Sequence, residues 1–328
     1  MIEGCNVQNP EWYPIISGAE KFPIRVVYGT LYLEDGKKIG IPRGAFEHAG
    51  WGQSSGFNLV GSAEKALPAK MSIVWFSFIE NKFFSAELEL PTQTIKTFLT
   101  NNLSEPPKSS HRLIIGMAPR GNLSVWFKVK KVKFELVSFK AKEIDFPWLE
   151  FTPQPSTPRE EWLAALLLGL EIQVPELPED DQNNGAVHKD ILIWDKYPER
   201  YHWQTEVEGT KLTSMFIQMM NGELEYIEYD QDDNNTYFVK PFARVDKAVP
   251  KKMTINWLNS LDGREYQSVI YFNEKETMQA YQKFTESDDL VNFKMLLEIS
   301  EKTGKIEIYI KDKKLFLKLE EFESAIYS

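Results

Sequence analysis

Gly52-Gln53-Ser54-Ser55-Gly56 fits the nucleophile-elbow pattern G-x-S-x-G. A serine in that pattern attacks a carbonyl only when a buried strand runs into it and a helix leaves it, so that the hydroxyl stands on a tight turn. Here Phe46-Glu47-His48-Ala49-Gly50-Trp51 precedes it without strand alternation, and no helical period follows before Pro68. A glycine-rich loop accounts for the pattern better than a hydrolase does. Asp230-Gln231-Asp232-Asp233-Asn234 starts like a calcium-binding loop, with oxygen ligands at alternate positions. Its sixth position is Asn235 and its twelfth Pro241, where such a loop needs glycine and glutamate. The expectation is an acidic turn between strands.

His48, His111, His188 and His202 stand far apart, without metal-ligand spacing. One cysteine, Cys5, excludes an intrachain disulfide and a thiolate zinc site. No P-loop and no G-x-G-x-x-G occurs. Carboxylates abound, but a linear sequence cannot place two of them across a sugar. The reading is therefore no catalytic residue, no cofactor and no metal.

Charge gives a different kind of candidate. The net charge of −10 is concentrated between Glu171 and Asn235, where 16 acidic residues face 4 basic ones; the remaining 34 basic and 32 acidic residues nearly balance. Such a field repels nucleic acid and anionic lipid, and steers a basic protein partner. The candidate partner-binding residues are Trp51, Asp180, Asp181, Glu225, Glu228, Asp230, Asp232 and Asp233. No apolar run reaches the roughly 18–20 residues of a membrane span. Gly4-Cys5 looks like the end of a lipoprotein signal, but too little precedes it. The expectation is a cytoplasmic protein, with a periplasmic lipoprotein as the alternative if a signal was removed before Cys5.

These residues must be positioned by a scaffold, and the scaffold repeats. Lys65-Ala66-Leu67-Pro68-Ala69-Lys70-Met71-Ser72-Ile73-Val74-Trp75 returns 182 residues later as Lys247-Ala248-Val249-Pro250-Lys251-Lys252-Met253-Thr254-Ile255-Asn256-Trp257, with seven of eleven positions identical. Correspondence continues downstream, Gly121 matching Gly304 and Lys130-Lys131 matching Lys313-Lys314. This implies a tandem duplication. Met71, Ile73 and Trp75 alternate, so Trp75 and Trp257 read as core aromatics ending a strand, not as ligand platforms. Lys128, Lys130, Lys131 and Lys133 read as protection of an exposed strand edge.

Each unit shows strands, short turns and one short helix, near Gln93–Thr100 and Glu274–Thr285. Too little helix is present for βαβ units, so the expectation is α+β, mainly antiparallel β. The units are residues 1–145 and 201–328, joined by a linker, 146–200. Within the linker Thr157-Pro158-Arg159-Glu160 starts a helix that is apolar on nearly every side. That helix either wedges between the units or packs on one.

The Leu-Pro-x-x-Met-x-Ile-x-Trp stretch, the upstream Gly50-Trp51 and the downstream Glu80-Asn81-Lys82-Phe83-Phe84 resemble an uncharacterised bacterial family of lipoprotein type, a domain of unknown function. The resemblance covers about Trp12 to Phe127. Members of this family are similar to proteins encoded beside type VI secretion phospholipase effectors, which implies an immunity role. The resemblance carries no catalytic residues. The reading is a non-enzymatic protein that binds and occludes a basic effector. The alternatives are a hydrolase using Gly52–Gly56 and a binder of small molecules or glycans.

Overall fold

The computed structural model describes residues 9–43, 46, 48–53, 62–102, 111–152, 154, 156–172, 189–229, 246–284 and 293–327. The chain divides into two compact units, one of residues 1–130 and 135–196, the other of residues 131–134 and 197–328.

In the first unit the order is β1 (Trp12–Gly18), β2 (Ile24–Leu33), β3 (Lys38–Gly40), β4 (Pro68–Ser77), β5 (Lys82–Glu89), α1 (Thr92–Asn102), β6 (His111–Ala118), β7 (Asn122–Val129), β8 (Val132–Lys140) and β9 (Lys142–Ile144). Then follow α2 (Trp148–Phe151), α3 (Arg159–Gly169) and α4 (Lys189–Leu192). One sheet has the order β1-β6-β7-β8 and the other β3-β2-β4-β5-β9. Short turns produce antiparallel neighbours, as in β4–β5, where Trp75 lies opposite Phe84. β1 and β6, separated by most of the unit, instead pair parallel, with Trp12 opposite His111. The sheets are therefore mainly antiparallel, as expected, with a parallel pair the sequence did not signal. A hairpin turn dictates antiparallel pairing, and a long connection does not.

Local chemistry explains the joints. Asp35-Gly36 turns β2 into β3, Gly36 lying at φ +82°. Ile95, Phe98 and Leu99 bury one face of α1. The Thr92 hydroxyl does not cap this helix; it donates to the carbonyls of Pro68 and Leu90, at 3.0 and 3.3 Å. α3 begins one residue later than Pro at the first helical position implies: Pro158 is its N-cap, with no side-chain cap. Asp195 draws the end of the unit onto the β6–β7 turn. It accepts hydrogen bonds from Arg120, Lys140 and the Asn122 amide. Burial opposes its charge, but the hydrogen bonds from Lys140 and Asn122 and the charges of Lys140 and Arg120 hold its pKa below the ordinary value. Arg120 is left-handed, at φ +63°, and its N–H donates to half-buried Glu80 at 2.7 Å.

The second unit contains β10 (Tyr201–Glu208), β11 (Lys211–Met219), β12 (Leu224–Glu228), β13 (Asp246–Lys247), β14 (Pro250–Leu258), β15 (Glu265–Phe272), α5 (Glu274–Lys283), β16 (Phe293–Ile299), β17 (Ile306–Lys311), β18 (Phe316–Leu319) and β19 (Phe322–Tyr327). Its sheets have the orders β12-β11-β14-β15-β19 and β13-β10-β16-β17-β18. β10 and β16 pair parallel, Trp203 facing Phe293. Trp257 lies opposite Tyr266 in β14–β15. Asn273 caps α5, its side chain accepting from the Glu276 N–H at 3.0 Å. Residues 131–134 pack with this unit: Lys133 pairs with Leu224 and is 1% exposed, and Lys131 lies 3.9 Å from the Tyr226 ring centre. Lys133 therefore does not guard an open edge, since a strand covers it.

Mainly antiparallel sheets with few helices place the protein in the α+β, β-rich class. Trp75 and Trp257 are core residues, 0% and 1% exposed, stacked on Phe84 and Tyr266.

Candidate functional site

The residues singled out by sequence separate when placed in space. Trp51 is 7% exposed, its ring edge-on to Trp126 at 4.9 Å and to Trp194 at 5.4 Å. The loop that carries it is fastened by Gly50, whose N–H donates to the Gly18 carbonyl and whose own carbonyl accepts from Ser17. A Cβ at Gly116 would lie 2.4 Å from Trp126 and 3.1 Å from Trp51, so only glycine admits this stack. A partner cannot reach Trp51 without displacing the loop; its placement is that of a keystone.

Glu225 is half-buried and accepts both its hydrogen bonds from Lys247, at 2.8 and 2.9 Å. Glu228 is exposed on β12. Asp180, Asp181, Asp230, Asp232 and Asp233 lie outside the described residues, as do Ser54, Ser55, His188 and the calcium-like stretch 230–235. Among the remaining histidines, His111 is 1% exposed, and burial holds its pKa below the ordinary value. His202 lies 3.1 Å from the Asp246 carboxylate. Among the described residues no three His, Cys, Asp or Glu side chains gather as metal ligands.

What the fold does bring together lies in the stretch expected to be a linker. α2 and α3 pack on the outer ends of β4 and β5. Phe151, Trp162, Leu163 and Leu167 close over Phe76, Phe78 and Phe83. Rings meet at 4.8 Å for Phe76 and Phe151, and at 5.4 Å for Trp148 and Trp162. Arg159, the first residue of α3, locks this nest to the β4–β5 turn. Its Nε and one Nη each donate to Asn81 at 2.6 Å, and its guanidinium lies 4.9 Å from the Trp148 ring centre. Burial lowers its pKa. Aromatic faces and neutral oxygens thus hold a partly desolvated cation in place.

α3 therefore takes the second of its two options and packs on one unit. Its outward side carries Glu160 and Glu161 in the first turn and is apolar beyond it. Ala164 and Ala165 are exposed, Leu168 is 80% exposed, and on α2 Leu149 is 70% exposed. A helix hydrophobic on all sides is ordinarily buried all round. Here one side is bolted to aromatic residues and the other faces solvent. Beside it a cleft of about 430 Å³ is lined by Asn81, Lys82, Phe83, Glu143, Asp145 and Arg159. Lys82 pairs with Glu143 at 2.8 Å across it. Two acidic and two basic side chains, Glu143, Asp145, Lys82 and Arg159, thus line this cleft.

Sequence reading missed Leu149 and Leu168 as candidate contacts. The signal for Leu168 is the all-round apolarity of 162–170, which exceeds what one packed side of a short helix can bury. The described helices include none long and apolar enough to cross a membrane.

No curated protein and no solved structure gives a significant match to the chain. A family described as protein of unknown function (DUF2931) matches residues 3–189, more than half of the chain and nearly all of the first unit, α3 included. The chain belongs to the DUF2931 family of proteins of unknown function.

Proposed function

We propose that this chain is a non-enzymatic protein-binding protein, an immunity protein that binds and occludes a bacterial toxin of the type VI secretion kind. The observation that carries the reading is the outward side of α3. Ala164, Ala165 and Leu168 are presented to solvent on a helix whose other side is fixed to an aromatic nest. Directly after it in sequence begins the acidic run Glu171–Asn235, 16 acidic residues against 4 basic. An apolar centre flanked by one sign of charge is how protein interfaces combine affinity with steering. The acidic run selects a partner with a basic surface and speeds encounter. Leu149 and Leu168 are then the side chains that lose water on contact.

The proposal has two further parts. The two units are tandem copies of one fold: both pair their first strand parallel with the strand after the helix, and both place an anchor tryptophan opposite an aromatic residue. The protein acts in the cytoplasm, or in the periplasm if Cys5 is lipidated.

Co-expression with the product of the adjacent gene tests the function. The expected result is rescue from that product's toxicity and co-purification of the two proteins. Leu149→Asp with Leu168→Asp should abolish both while leaving the thermal midpoint unchanged. No rescue and no complex at micromolar concentration would refute it.

A further inference from the structure

Sheet edges in this chain are mostly closed by shortness or by charge. β3 and β9 have three residues each and β13 two. β9 exposes Lys142 and Glu143, and β18, with four residues, carries Lys318. β19 is different. It ends its sheet, it is six residues long, and Glu323 is its sole charge. Among the described residues none pairs with its outer side. Ile326 is 39% and Tyr327 57% exposed. A long, weakly charged, open edge is a template for another strand.

The register on its inner side shows which side chains that strand would meet. Phe322, Ser324 and Ile326 lie opposite Phe272, Ile270 and Ser268, all buried, so these three point to the core face of the sheet. Phe322 is half-buried, and Ser324 and Ile326 are exposed, because the sheet stops there. We propose that β19 pairs with β19 of a second copy of this chain, antiparallel and centred on Ser324, giving a two-fold dimer. A two-fold axis through a continuous antiparallel sheet keeps each face on its own side, so a residue must meet one of like parity. Centring on Ser324 sets Phe322 against Ile326 twice, Glu323 against Ala325 twice, and the small Ser324 against itself. Aromatic and β-branched pairs of this kind stabilise a sheet. Centring on Ala325 would face Ile326 with Ser324 and leave Phe322 without a partner in the strand. Parallel pairing would set Glu323 against Glu323. The segment is thus self-complementary in one arrangement.

Sedimentation velocity over roughly 1–100 µM, the range in which a weak dimer shows its concentration dependence, tests this on the full chain. The wild type should shift from monomer to dimer, and Ile326→Lys should remain a monomer with an unchanged circular dichroism spectrum. Where Ile326→Lys fails to fold, Ser324→Cys in a Cys5→Ala background supplies the second arm. It should cross-link to a covalent dimer under mild oxidation, whereas Tyr327→Cys in the same background should not. A wild type that stays monomeric at the highest concentration overturns the proposal, even if it captures a foreign strand. So does a dimer in which Ser324→Cys cross-links no better than Tyr327→Cys.

Discussion

Tyr281 and Phe98 each plug the sheet-facing side of their unit's helix, both with 0% exposure. Tyr281 is ringed by Tyr201, Trp203 and Phe293, and its hydroxyl has no hydrogen-bond partner among the described residues. A buried hydroxyl without a partner costs more than it returns. Tyr281→Phe should therefore hold or raise stability, by up to about 1 kcal/mol, as read from the denaturant midpoint. The reverse case is Trp75. Trp257 donates from Nε1 to Ser268 at 2.9 Å, whereas Ala86, 182 residues before Ser268, leaves Trp75 Nε1 without an acceptor. Ala86→Ser should stabilise and Ser268→Ala destabilise, each by about 1 kcal/mol; equal losses from both would contradict the role given to these hydroxyls. Lys65 is the pH-sensitive residue. It is 6% exposed, donates to the Trp12 and Ala63 carbonyls, and burial lowers its pKa from 10.5 to about 8. Between these values the unfolded chain holds a proton that the folded chain has released, so stability rises with pH across that window. The cost of burying the ammonium is fully present below pH 8. Lys65→Met should flatten the rise, measured as the difference in unfolding free energy between the variant and the wild type at pH 7 and pH 10.

Elements fix what these residues can do. The strands were legible in the sequence because alternation survives tertiary context: Met71, Ile73 and Trp75 are all buried, as are Met253, Ile255 and Trp257. Turn chemistry was legible at Asp35-Gly36, where a positive φ is needed. The parallel β1–β6 and β10–β16 pairs were not, because no local signal encodes which distant strand is a neighbour. α3 was legible as a helix but not as a surface, since apolarity on every side reads as burial when the packing partner is unknown. Its docking depends on Trp162 and Arg159. Trp162→Ala should cost about 3–5 kcal/mol. Arg159→Lys loses the paired hydrogen bonds to Asn81 and the stack on Trp148, and should cost about 1 kcal/mol. Thermal melts that leave both variants at the wild-type midpoint would show that α3 is not anchored as described.

At the scale of the whole molecule, charge and apolar surface were legible to different degrees. The acidic run from Glu171 to Asn235 is plain in the sequence, whereas Leu149 and Leu168 emerge only once the faces of their helices are assigned. Trp51 shows the opposite error: an aromatic beside glycine invites recognition, yet two tryptophans, Trp126 and Trp194, pack it inside the first unit. On the proposed function, an apolar helix face and an acidic field together bind one basic protein. Calorimetric titration of the adjacent gene's product into this protein, at low and high salt, tests it most directly. Saturable binding is expected, weaker at high salt as screening shortens the reach of the acidic run, and lost in the Leu149→Asp, Leu168→Asp double variant. Binding of equal strength in that variant, or no heat at micromolar concentrations, would contradict it.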